Sequence, residues 1–118
     1  MPQITVDYSA PLAEGFDRRG FALALHDAAV EIAAARTEAC KTQFRATDDT
    51  VVGHDVDGHG VVHVTIGLLA GRSEQTKSEL VAAALELLRK HLTPAEGTAL
   101  HASAEVRDLA PSYAKHES

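Results

Sequence analysis

The chain contains no tryptophan, one cysteine, one methionine and only five phenylalanine or tyrosine rings among its 118 residues. A single thiol, Cys40, excludes an internal disulfide. With no charged-apolar-small leader before Pro2, it points to a reducing, cytoplasmic setting. Scarce aromatics leave the core to Ala, Val, Leu and Ile. Such small side chains suit close packing of helices on a sheet and leave apolar surface for contact between subunits. No apolar run is long enough to cross a membrane. Cations are also in short supply: 11 Lys and Arg stand against 17 Asp and Glu, for a formal net charge of −6. That balance argues against nucleic acid as a partner, because phosphate binding depends on clustered Lys and Arg. Each basic residue is therefore worth individual attention. The length predicts a single domain over residues 1–118, able to bury about two-thirds of its unfolded surface.

What the chain does have is a Met-Pro start leading into Gln3-Ile4-Thr5-Val6-Asp7-Tyr8, which reads as a strand. Once Met1 is removed, Pro2 carries a secondary amine. An internal proline nitrogen is an amide with no usable lone pair, and ordinary termini are mobile primary amines. A secondary amine held by a buried strand is a candidate proton shuttle. The plain alternative is that some residue must follow the start methionine and here it happens to be proline.

The first strand ends near Ser9-Ala10-Pro11, and an Ala-rich helix is expected from about Asp17 to Ala35. Phe16 and Phe21 bracket an Asp17 cap as a hydrophobic staple, while Phe21, Leu25, Ala28 and Ile32 form one apolar stripe. Residues from about Ala39 to Val52 read as a second strand, with Thr47-Asp48-Asp49-Thr50 as a bulge. The Gly- and Asp-rich stretch from Gly53 to Gly60 predicts a hairpin, with Val61 to Leu69 returning as a central strand apolar on both faces. Ser73 caps a second helix that runs to about Leu92, with Val81, Leu85, Leu88 and Leu92 inward, and Thr93-Pro94 stops it. A last strand covers Ala102 to Val106 or a little beyond.

Strand, helix, strand, strand, helix, strand is the resulting order, and its two halves (about 2–52 and 61–108) echo each other at an offset of 60 residues. Ile4-Thr5-Val6 lies over Val64-Thr65-Ile66, and Phe21 over Val81. Two right-handed β-α-β units side by side give an α/β (α+β) fold: a four-stranded mixed sheet with both helices on one face. The uncovered face is expected to pack on copies of the same chain.

Pro2-Gln3-Ile4-Thr5-Val6-Asp7-Tyr8-Ser9, Val62-His63-Val64-Thr65-Ile66, and Leu69-Ala70-Gly71-Arg72-Ser73-Glu74-Gln75-Thr76-Lys77 resemble the 5-carboxymethyl-2-hydroxymuconate isomerase family of the tautomerase superfamily. The likeness covers nearly the whole chain. The Gly71-Arg72-Ser73 step also resembles the shorter 4-oxalocrotonate tautomerases. The resemblance implies a repeated β-α-β fold, a trimer in the longer members, and an N-terminal proline as the catalytic base. The family usually places a second arginine near the middle of the second strand. By position this chain has Lys41, which attracts a carboxylate as a point charge but lacks the bidentate fork. Arg45, four residues on and on the same strand face, is the other candidate.

The chemistry of these residues accords with that implication. An exposed α-amine has a pKa of roughly 8, so most of it is protonated and idle as a base at neutral pH. Burial and a neighbouring guanidinium both disfavour the ammonium and bring its pKa toward operating pH. Arg72, at a strand-to-helix turn, offers a fork of donors beside the first free amides of a helix, suited to a carboxylate and to developing dienolate charge. Its plain alternatives are a solvated turn residue or an ion pair with Glu74 or Glu105. His54, His59 and His63, with Asp55 and Asp57, have metal-ligand chemistry, but polar residues are also what a Gly-rich hairpin requires. No metal and no organic cofactor is expected. Cys40 reads as a small strand residue.

The expectation is a cytoplasmic homotrimeric tautomerase. It moves a proton within a small unsaturated 2-hydroxy or 2-oxo carboxylic acid, as in degradation of aromatic compounds. Pro2 is the catalytic group, and Arg72 and Lys41 bind substrate. The alternatives are another activity of the superfamily, such as hydration of a haloacrylate, or a non-catalytic trimer that binds or assembles.

Overall fold

Ile4, Val6 and Tyr8 alternate with Gln3, Thr5 and Asp7, so a strand over these residues turns one apolar face to a core. In the computed structural model, which describes residues Met1–Ser118, they form β1 (Gln3–Ser9) with that alternation of buried and half-buried positions. Helix α1 (Arg18–Ala33) begins at Asp17, whose carboxylate accepts from the Gly20 N–H at 3.1 Å, and ends at Ala34 in the left-handed conformation. After it come β2 (Lys41–Thr47), β3 (His59–Leu68), α2 (Glu74–His91) and β4 (Ala99–Asp108). Ser73 caps α2 by accepting from the Thr76 N–H at 3.1 Å, and Arg89, Lys90 and His91 complement the dipole at its other end.

The four strands form one mixed sheet in the order β2-β1-β3-β4. Pairing is parallel within β1/β2 and β3/β4, and antiparallel between β1 and β3. Each parallel pair is joined through a helix, as parallel neighbours require. Both helices contribute to one cluster of 19 buried residues on the face that carries Ile4, Val6, Val62, Val64 and Ile66. Truncating a large member such as Leu88 costs about 2–5 kcal/mol.

Several expectations are corrected. The second strand stops at Thr47, so the Thr47–Thr50 stretch is no bulge, and β2 and β3 do not make a hairpin. Val52 and Asp55 instead exchange backbone hydrogen bonds of 3.0 and 2.9 Å in a tight turn. Turn chemistry marks where a chain reverses, not which strand it returns to. In α1 the buried row is Phe21, Leu25, Ala29 and Ala33, with Ala28 and Ile32 on its flank. In α2 it is Leu80, Ala84 and Leu88, with Val81 and Leu85 only half-buried. Phe21, Leu25, Leu88 and Leu92 are inward as expected, and the rest of each buried row lies one position from the residues expected, Ala29 and Ala33 for Ala28 and Ile32, Leu80 and Ala84 for Val81 and Leu85, a shift selected by the tilt of the helix on the sheet. Strand β3 is interior to the sheet, but only one of its faces is buried: Val61, His63 and Thr65 are half-exposed. Strand β4 begins earlier than expected, at Ala99.

Candidate active site at the chain's start

Parallel pairing brings the start of β2 beside the start of β1, with Gln3 opposite Lys41, while antiparallel pairing brings Gly67, near the end of β3, to its other side. The chain terminus therefore sits where two strands begin and one ends. The Pro2 side chain is fully buried, and its carbonyl accepts from the Lys41 N–H at 3.2 Å. Cys40 is buried just before β2 rather than within it, its thiol directed at the Arg36 carbonyl at 3.4 Å. Burial holds the amine of Met1 below the usual α-amine range. Lys41, Lys115 and Arg72 push it the same way, against the opposing influence of Cys40.

Arg72 follows Gly71, whose φ of 128° is open to glycine and strained for other residues. Its guanidinium reaches across to the end of α1. Nε and Nη2 donate to the Ala33 carbonyl at 3.1 and 3.0 Å, and Nη1 donates to the Leu69 carbonyl at 3.3 Å. Helix α1 has no basic residue in its last turn, and Arg72 supplies that charge from a distant point in the sequence. Three of the five guanidinium donors are thereby used and two remain. Neither Glu74 nor Glu105 pairs with it: Glu74 binds Lys77 at 3.2 Å, and Glu105 binds His63 at 2.8 Å and Arg107 at 3.0 Å.

Lys41 donates from Nζ to the Ala39 carbonyl at 3.2 Å and pairs with Glu117 at 3.3 Å. Arg45 is engaged elsewhere. It clamps Asp7 with bonds of 2.7 and 3.2 Å, at the position where β1 has advanced from Gln3 to Asp7. Thus Pro2, Lys41 and Arg72 share one end of the sheet and Arg45 is removed from them.

The histidines part company. His63 binds Ser103 and Glu105 on the open face, His59 binds Asp55 and His101, and His54 is exposed. No three His, Cys, Asp or Glu side chains converge as a metal site. The residues missed from sequence are in the last stretch of the chain. Tyr113, Lys115 and Glu117 return to the terminus: Gln3 Nε2 donates to the Tyr113 hydroxyl at 3.4 Å, and Lys115 pairs with Glu117 at 3.6 Å. Their mixture of one ring and opposite charges after Pro111 is a weak signal. Nothing in it says where the segment lies. A cavity of about 470 Å³ opens at the other end of β1, lined by Ser9, Asp48, Asp49, Asp57 and His59 among others.

Comparison with solved structures agrees with this architecture. A 5-carboxymethyl-2-hydroxymuconate isomerase from Deinococcus radiodurans superposes with a TM-score of 0.73 at 21% identity, covering 98% of this chain and 90% of that one. A fused 4-OT described as a symmetric trimer gives 0.75 at 16% identity, covering 97% and 92%. FG41 malonate semialdehyde decarboxylase, inhibited by 3-bromopropiolate, gives 0.63 at 26% identity, covering 92% and 83%. No curated protein is a significant match in sequence. The family model for 5-carboxymethyl-2-hydroxymuconate isomerase matches residues 2–118, and with the mixed sheet and paired helices above, the chain belongs to that family.

Proposed function

We propose that this member of the family is an isomerase that moves a proton within a small unsaturated 2-hydroxy or 2-oxo carboxylic acid of the 5-carboxymethyl-2-hydroxymuconate type, with the amine of Pro2 as acid and base after Met1 is removed. The single observation that carries the reading is the fully buried Pro2 ring at the sheet end it shares with Lys41 and Arg72, in a chain whose family match begins at that residue; burial and the neighbouring cations push the terminal amine down in the same sense. Removing Met1 moves the free amine one residue inward, onto a ring that is already fully buried. In its uncharged form the amine accepts the enol proton of the substrate and, as the ammonium, returns it to a carbon of the conjugated chain. Between the two steps the negative charge is spread over the dienolate and its carboxylate. The two spare donors of Arg72 and the ammonium of Lys41 are the groups we assign to that charge. Because proton transfer next to a carbonyl needs only a tuned base and an electrostatic sink, the reaction calls for no cofactor. The trimer of the fused 4-OT neighbour, together with a sheet face left uncovered by the helices, supports a homotrimer here. Degradation of aromatic compounds is the setting that supplies such dienols. The decarboxylase neighbour at 26% identity favours, as a second reading, another acid-converting activity of the same superfamily.

The test uses protein whose loss of Met1 is verified by intact mass. Ketonisation of a 2-hydroxymuconate-type dienol is followed by absorbance before and after acylation of the terminal amine. The expected result is loss of activity on blocking; equal rates in the two samples overturn the reading.

A further inference from the structure

We propose that Lys41 and Lys115 together form a carboxylate-binding site, and that Glu117 of the same chain occupies it as an internal competitor when substrate is absent. The proposal deepens the isomerase reading and rests on it for the identity of the incoming ligand, a second carboxylate on an acyclic acid.

The path of the chain after β4 is anchored at successive points. The Leu109 N–H donates to the Leu68 carbonyl at 2.7 Å, continuing the β3/β4 ladder beyond the strand. A Cβ at Gly67 would come within 2.8 Å of Leu109 Cδ2, so Leu109 packs directly against the bare backbone at the end of β3. A turn at Pro111-Ser112, closed by the Tyr113 N–H donating to the Ala110 carbonyl at 2.9 Å, sends the chain back across the start of β1. There Tyr113 meets Gln3, and Lys115 comes close enough to add to the electrostatic pressure on the terminal amine.

Glu117 then stands between two ammonium groups, 3.3 Å from Lys41 and 3.6 Å from Lys115. Its carboxyl is held below the usual carboxylate range, first by the hydrogen bond from Lys41 and then by the charges of Lys115 and Lys41. The same two cations also act on the terminal amine, so the site they form lies at the end of the sheet where the chain starts. All three charged side chains are about half exposed. An exposed pair of this kind is weak, so Glu117 can be displaced by a ligand carboxylate and competes with it by no more than about fivefold. Lysine at position 41 fits this arrangement better than an arginine committed to one bidentate partner, because a point charge is shared between two carboxylates without loss of geometry.

The experiment measures binding of adipate, an unreactive dicarboxylate, by calorimetry at low salt, alongside turnover of the dienol. In Glu117→Gln, adipate binding tightens by about threefold to fivefold and KM falls with kcat unchanged. Adding Lys115→Met to that variant weakens adipate binding below the wild-type value. Adipate affinity indifferent to either substitution, or no adipate binding at all, overturns the proposal. The two readings fail separately. Shifts in adipate affinity in a protein with no turnover keep the two-lysine site and remove the isomerase. Amine-dependent turnover with adipate binding blind to Lys115 and Glu117 does the reverse.

Discussion

The two ends of β1, a strand of seven residues, are contrasting environments. At the Ser9 end the protein has a cavity of about 470 Å³, lined by Asp48, Asp49 and Asp57 and by no lysine or arginine. At the Pro2 end it has a buried ring, a partly desolvated amine and three cations. The cavity alone favours the first end. Electrostatics favours the second, because an anionic acid entering the aspartate-lined cavity meets like charge, while at the terminus it meets Lys41, Lys115 and Arg72. The lesson is that the sign of the field, more than the presence of a cavity, decides which end suits a given ligand. The Ser9 end also has a structural occupation of its own: Ser9 is buried, accepts from the Val61 N–H at 2.9 Å and meets the Thr50 hydroxyl at 2.6 Å, which ties the loop after β2 to β3.

The comparison is tested hardest by acylating the processed terminus, which should lower kcat/KM by about 10²–10⁴-fold, the range for loss of a general acid-base group. Next in size is Arg72→Ala. It removes two anion donors and also leaves the Ala33 and Leu69 carbonyls short of partners, so activity falls by about tenfold or more and thermal unfolding shows a loss of about 1–3 kcal/mol. Arg72→Lys should recover part of the activity but little of the stability, since an ammonium lacks the fork that spans both carbonyls. A smaller and more diagnostic effect belongs to Lys41→Met. A cation beside an amine lowers its pKa, so its removal raises that pKa and moves the acid limb of the kcat/KM profile to higher pH. An unchanged or lower limb counts against Lys41 as part of the site. At the opposite end, the double substitution Asp48→Asn with Asp49→Asn should leave kcat/KM within about twofold, as expected of exposed residues away from the chemistry; a tenfold loss would move the function to the cavity there.

The smallest effect concerns the open sheet face between the two ends. Hydrogen bonding from His63, then from Arg107, lowers the Glu105 carboxyl below its ordinary value of 4.5. A depressed folded-state pKa contributes stability that is present above the unfolded value and lost as pH falls through the folded one. Glu105→Gln should therefore lower stability slightly above pH 4.5 and flatten the acid side of the stability profile below it. A profile identical to the wild type in acid leaves the His63–Glu105 contact without energetic consequence.

Much of the fold was legible because it rests on local rules. The Asp17 and Ser73 caps, the apolar alternation of β1 and the stop at Leu92 follow from residues near one another in sequence, and all appear in place. Side-chain rows were read less well. Phe21, Leu25, Ala29 and Ala33, and Leu80, Ala84, Leu88 and Leu92, form the buried rows. In both helices alanine takes an inward position that hydrophobicity alone assigns elsewhere, Ala33 in place of Ile32 and Ala84 in place of Leu85, while Leu80 replaces Val81. Where helices lie close to a sheet, small size outranks hydrophobicity, and closeness is a property of the packed pair. The candidate site divides in the same way. Pro2 and the Gly71-Arg72 step could be picked out because their chemistry is unusual on its own, whereas Tyr113, Lys115 and Glu117 carry no such mark.

The sequence by itself determined the kinds of element, their order, their caps and the scarcity of cations, since each depends on backbone preference, periodicity or a count. Tertiary structure alone decided that β2 makes no hairpin with β3, that Arg45 is spent on Asp7 while Lys41 faces the terminus, that Arg72 closes a helix it does not belong to, and that the last residues return to the first. These are contacts between segments far apart in the chain. They are selected by which arrangement buries the apolar rows together and leaves each charge a partner, and that balance is struck only when the whole chain has folded.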